Sequence, residues 1–221
     1  MCAEFRVCKN NVADYVGVVE KSKSSQDDLM TLFPEDVGGF VKAMSEFAPN
    51  LELSFNQIGL SVNEGDVKDL KTELDKYTTS SWLEMPISTT AYENASPVTR
   101  TLDTYFAYIE HAGKPVQLEL IVVPELSTED PNEQTYHERS AINCADQAVH
   151  YAFNVTSKDN FNIACDVADM AGGELLQTGE IAQNGFAASY AYFLFGDSVV
   201  ELVYSSPEMT PFMLEVANII F

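Results

Sequence analysis

The stretch FAASYAYFLFGDSVVELVY, Phe186 to Tyr204, says most about the fold. Phe186 to Phe195 carries apolar side chains on both faces of an extended segment, which predicts a central strand covered on two sides. Gly196-Asp197 is a two-residue turn of the kind that takes Gly at its first central position, and Ser198 to Tyr204 returns as the partner strand. Pro207 and Glu208 then open a C-terminal helix with Met209, Phe212, Met213, Val216 and Ile220 on one face.

Upstream, Thr99 to Val123 repeats the hairpin pattern: Leu102, Thr104, Phe106 and Tyr108, then the turn His111-Ala112-Gly113-Lys114, then Val116, Leu118, Leu120 and Val122. Leu51, Leu53 and Phe55 alternate with polar residues, and Ile58, Leu60 and Val62 continue on the opposite parity. A strand that changes parity at Asn56-Gln57 needs a bulge or bend there. Helical spacing is met by Val37, Phe40, Val41, Met44 and Ala48 behind Pro34, and by Val67, Leu70, Leu74 and Tyr77 behind a capping Asn63. A further helix is expected from about Glu133 to Phe153, through Ile142, Ala145, Val149 and Ala152, whereas Phe161 to Gln183 reads as a short strand and a short helix around Gly172-Gly173. Hairpins mixed with helices predict an α+β fold on a mainly antiparallel sheet, with the C-terminal amphipathic helix packed on it. The chain is read as a single domain, 1–221, with a possible internal boundary within 78–97, a stretch rich in Ser and Thr; no repeat of 20–50 residues is found.

The 221 residues include 34 acidic and 12 basic ones, a formal net charge of −22. With 46% hydrophobic residues the chain has the apolar content to fold, which a disordered acidic tail lacks. The charge is uneven: after position 114 there are 16 carboxylates against Arg139 and Lys158 alone. Such a surface argues against direct nucleic-acid binding, which depends on Lys and Arg neutralising phosphates, and favours a basic protein partner. Glu125, Glu129 and Asp130, in an acidic loop from Pro124 to Asn132, are the expected partner-binding residues. No transmembrane segment or signal peptide is visible, so a soluble cytoplasmic protein is expected; the alternative is an exported or lipid-anchored one whose signal peptide has been removed, with Cys2 bearing the lipid. Cys2, Cys8, Cys144 and Cys165 lack the Cys-x-x-Cys spacing of zinc or redox pairs and are read as free thiols.

Enzyme motifs are missing. There is no phosphate loop, dinucleotide fingerprint, nucleophile elbow or paired-histidine zinc helix; His137-Glu138 begins the last, but Ala141 stands where its second ligand belongs. His111 falls in a turn, and His137 and His150 fall on the expected helix, where Asp146 could pair with His150 but a third partner is lacking. Asp166 and Asp169 match no calcium loop. The resulting expectation is a non-enzymatic acidic protein, with no cofactor and no metal, that binds and blocks a basic partner as an inhibitor, immunity or anti-defence protein does, including one that covers a nucleic-acid-binding surface. The alternative is a small-ligand-binding or sensor domain.

Overall fold

A computed structural model describes residues 12–24, 32–93, 96–123, 149–183 and 186–205. Helices α1 (Val12–Ser24) and α2 (Glu35–Phe47) precede two units of like topology. The first runs β1 (Leu53–Asn63), a 3-10 turn, α3 (Val67–Leu74), β2 (Leu83–Glu93), β3 (Ser96–His111) and β4 (Lys114–Val123). The second runs β5 (His150–Val155), α4 (Lys158–Met170), β6 (Glu174–Gln183), β7 (Phe186–Phe195) and β8 (Ser198–Ser205).

All eight strands close into one barrel, in the order β1-β4-β3-β2-β6-β7-β8-β5. Within each unit the first and last strands pair in parallel, β1 with β4 and β5 with β8; the units join through the antiparallel pairs β1–β5 and β2–β6. The expected α+β fold on a mainly antiparallel sheet is therefore overturned: this is a closed, mixed eight-stranded barrel. Both expected hairpins form, as β3–β4 and β7–β8. What local sequence could not carry is the closure, which joins strands tens of residues apart through parallel pairs that no turn announces.

Two further readings change. The helix expected over Glu133 to Phe153 gives way at its described end to a strand, β5. His150 to Phe153 is buried on both faces, and a short strand of that kind cannot be told from a buried helix by periodicity. Phe161 to Gln183 is a helix followed by a strand, the reverse of the expected order. The parity change in β1 is real, since its register against β5 shifts between Phe55 and Gln57. The stretch from 78 to 97 supplies β2, which pairs on both sides. The C-terminal helix from Pro207 lies outside the described residues.

The core lies between the barrel's outer face and the helices. Ile58, Leu60, Leu118, Leu120, Phe153, Phe193 and Leu202 are buried there against Tyr15 and Val19 of α1, Val37, Phe40 and Met44 of α2, Leu70 and Leu74 of α3, and Phe161 and Ala164 of α4. Phe40 meets Phe153 at 5.7 Å and Phe195 at 5.3 Å between ring centroids. Truncating one such ring to Ala costs about 3–5 kcal/mol. No helix among the described residues is long and apolar enough to cross a membrane.

Candidate metal centre

Side chains alternate along a strand, and direct ladder partners share a face. With one face of the barrel under the helices, the other parity points inward. Around the interior, Tyr108 stands opposite Gln117, Gln117 opposite Gln57, Gln57 opposite Ala152, Ala152 opposite Glu201, Glu201 opposite Tyr192 and Tyr192 opposite Gln177. Two residues along, Phe106, Glu119, Gly59, His150, Val199 and Leu194 form the neighbouring ring. The interior thus mixes polar with apolar side chains, whereas the outer face is apolar.

In these two rings four side chains converge. His150 Nε2 lies 3.0 Å from Glu119 Oε2 and 3.6 Å from Glu201 Oε2. The Gln57 amide, as placed, donates from Nε2 to the same two oxygens, at 2.8 and 3.4 Å. Glu119, His150 and Glu201 each offer one ligand atom, and the three atoms lie within 4.8 Å of one another. Metal–oxygen and metal–nitrogen bonds of about 2.0–2.2 Å place adjacent ligand atoms about 2.8–3.6 Å apart in octahedral or tetrahedral coordination. The four separations span that range. Turning the Gln57 amide over presents Oε1 in place of Nε2 at little steric cost, because the two ends are nearly isosteric, and gives up the bond that Oε1 accepts from Asn56 Nδ2 at 3.3 Å.

Electrostatics point the same way. The side chains of His150, Glu119 and Glu201 are 1%, 13% and 7% exposed. Two carboxylates within 4.8 Å of each other repel by at least about 3 kcal/mol at an effective dielectric near 20. A protonated imidazole answers one of these charges, and a divalent cation answers both. Two carboxylates, an imidazole and an amide make a donor set suited to a first-row divalent ion such as Zn²⁺, Ni²⁺, Co²⁺, Fe²⁺ or Mn²⁺. The residues present fit such an ion.

The two units build this centre in one register. Gln57 on β1 is the ladder partner of Gln117, two residues before Glu119; His150 on β5 is the partner of Val199, two residues before Glu201. Each ligand on these first strands is faced across the β1–β5 seam by a small residue, His150 by Gly59 and Gln57 by Ala152. A Cβ on Gly59 would lie 1.9 Å from His150 Nε2, so glycine is what admits the imidazole. Behind the wall, Tyr15 of α1 donates its hydroxyl to the carbonyls of Ile58 (3.1 Å) and Glu119 (3.4 Å), bracing β1 against β4 at the level of the site. Burial, and secondarily the Glu119 charge, hold the Tyr15 phenol well above its usual pKa.

Of the residues singled out in the sequence, only His150 enters the centre, from a strand and not from a helix shared with Asp146. The ground for leaving it isolated, that it lacked further partners, is corrected by Glu119 and Glu201. His111 ends β3 and is buried; Asp166 and Asp169 project from α4 into solvent. Glu125, Glu129, Asp130, His137 and Asp146 lie outside the described residues, as do Cys2, Cys8 and Cys144. Cys165 is a free thiol on α4, its pKa pushed up to about 11 chiefly by burial. Sequence reasoning missed Gln57, Glu119 and Glu201. The signal for the two glutamates was a lone carboxylate in the middle of an apolar strand, Leu118-Glu119-Leu120 and Val200-Glu201-Leu202.

No family model matches the chain, and no curated protein does. Among solved structures, the chain is similar to a triple mutant of 4-hydroxymandelate synthase from Streptomyces coelicolor, at 9% identity and TM-score 0.35, over 70% of this chain and 49% of that one. The chain thus spans about half that protein's length. A second likeness is to the fosfomycin resistance protein FosX from Mesorhizobium loti, at 10% identity and TM-score 0.21, over 71% of this chain and 94% of that one. At such values neither likeness bears on what this chain does.

Proposed function

We propose that the barrel interior binds one divalent metal ion and that the chain is a metal-dependent enzyme acting on a small molecule with two neighbouring oxygen donors. The observation that carries this reading is the convergence of Glu119, His150 and Glu201 in the interior, one from β4 and two from the other unit. β4, β1, β5 and β8 form one continuous wall, so the four donors approach from one side, with β3, β2, β6 and β7 opposite. Six-coordination would leave two positions turned toward that opposite wall, which suits a bidentate ligand such as a 2-oxo acid, a 1,2-diol or a hydroxamate. A bound cation would supply Lewis-acid polarisation of a substrate oxygen.

The chain's own groups supply the rest. Gln57 and His150 position the two carboxylates, and Phe106 and Tyr192 line the interior beside them. Glu119 is the more exposed carboxylate, 13% against 7% for Glu201, and so is placed to take a proton from a substrate and return it to solvent. Titration of metal-stripped protein with Zn²⁺, Ni²⁺, Co²⁺ and Mn²⁺ tests the reading. One ion per chain is expected, with acetohydroxamate binding only to the loaded form; no stoichiometric binding of any of the four refutes it.

A second proposal rests on charge. Besides the interior Glu119 and Glu201, fourteen carboxylates stand against two basic residues after position 114, which favours a basic protein partner. Capture of one basic protein at stoichiometric amount from lysate at low salt, with association slowing as salt rises from about 50 to 300 mM, would support it. Both readings can hold at once, since the ligands face inward.

A further inference from the structure

On the wall opposite the ligands, a chain of hydrogen bonds runs from Thr89 through Tyr190 to one buried amide, that of Gln177. Thr89 Oγ1 on β2 lies 2.7 Å from the Tyr190 hydroxyl, where either oxygen can donate, and 3.5 Å from the carbonyl of Glu180. The Tyr190 oxygen accepts from Gln177 Nε2 at 2.9 Å. Gln177 Oε1 is left over: the residue is 3% exposed, and among the described residues this oxygen has no hydrogen-bond partner. The arrangement is built into the strands, because a Cβ on Gly179 of β6 would lie 2.2 Å from the ring of Tyr190.

An acceptor held by its own amide nitrogen, buried and unsatisfied, is costly to keep without something to accept from. Gln177 is separated from Glu201 by Tyr192 alone in the ladder, two strand spacings or about 10 Å between Cα atoms. It shares the interior face with Glu119, His150 and Glu201 and lies on β6, in the wall opposite the strands that carry Glu119 and His150.

We infer that Gln177 Oε1 is a substrate-orienting acceptor: besides the two oxygens that meet the ion, the substrate carries a hydroxyl or N–H donor several bonds away, which ends on Gln177. The inference deepens the metal-centre reading and rests on it. Tyr190 and Thr89 are positioning residues, holding the amide so that its oxygen faces the ligand.

The test uses Co²⁺-loaded full-length protein and two series of probes, plain acyl hydroxamates of three to six carbons and the ω-hydroxy hydroxamates of the same lengths. Affinities are read from the Co²⁺ absorption spectrum. The terminal hydroxyl is expected to strengthen binding about five-fold at one chain length and little at the others, as one hydrogen bond of fixed reach requires. In Gln177→Leu the ratio of the two series is expected to fall to about one at every length, and Tyr190→Phe, which releases the amide, to flatten the optimum. Each ratio compares two probes on the same folded protein, so a general loss of stability does not imitate the effect. A terminal hydroxyl that helps at no length, or helps equally in Gln177→Leu, overturns the inference and leaves the metal centre standing. Failure of both series to bind in a Co²⁺-dependent way overturns both.

Discussion

The two units of the barrel follow one topology and differ in what they bring to its interior. The first strand of one brings the neutral amide of Gln57, and that of the other the imidazole of His150; the last strands bring Glu119 and Glu201 from the same register position. Their helices differ as well, eight residues in α3 against 13 in α4. The ladder is thus common to both units, and the chemistry is set by which side chain each places at the same two points.

The largest expected effects separate those four positions. Glu201→Gln, Glu119→Gln and His150→Ala should each weaken metal affinity at least about 100-fold, because each removes a charged or strongly basic donor. Gln57→Ala should weaken it by about ten-fold, since it removes a neutral ligand. Calorimetric titration of the four variants with Zn²⁺ orders them; a Gln57 loss as severe as the His150 loss would break the distinction between the units.

The small residues across the seam come next. Gly59→Ala places a methyl where His150 Nε2 stands and should lower metal affinity by about ten-fold or more through displacement of the ring, whereas Ala152→Gly on the opposite side of the same seam should change it by less than about three-fold. Equal effects would mean that Gly59 is not what admits the imidazole.

A smaller effect belongs to the first unit alone. Tyr15 braces β1 and β4, and its phenol is raised above the usual value near 10 by burial and by Glu119. A folded pKa above the unfolded one gives stability that is complete below pH 10 and lost as pH climbs through 10 toward the folded value. Tyr15→Phe should cost about 1 kcal/mol at neutral pH through its lost hydrogen bonds, yet flatten the decline in denaturation midpoint above pH 10. An unchanged alkaline decline would detach Tyr15 from it.

The local parts of this architecture were legible. Residues Phe186 to Tyr204 and Thr99 to Val123 read as hairpins because their turns sit between runs of strand-forming residues, and the bulge at Gln57 was visible as a change of parity. The pairing of β1 with β4 and of β5 with β8 was not legible, because parallel neighbours leave no connecting turn to read. β5 was mistaken for helix because a strand buried on both faces loses its alternation. The centre was hidden for the same reason: Glu119 lies 31 residues from His150, and Gln57 lies 144 from Glu201, so no spacing motif joins them. A glutamate isolated within an apolar strand was the one local trace, and it has meaning only once alternation places it inside the barrel.

Metal stoichiometry measured side by side on the wild type and on Glu119→Gln/Glu201→Gln tests the central claim most directly. Both proteins are stripped with chelator, reloaded with excess Zn²⁺, desalted and assayed by elemental analysis, with circular dichroism melts to confirm that each is folded. The account predicts one zinc per chain in the wild type and less than about a tenth of that in the folded double variant. A folded wild type that retains no metal, or a double variant that retains as much as the wild type, would contradict it.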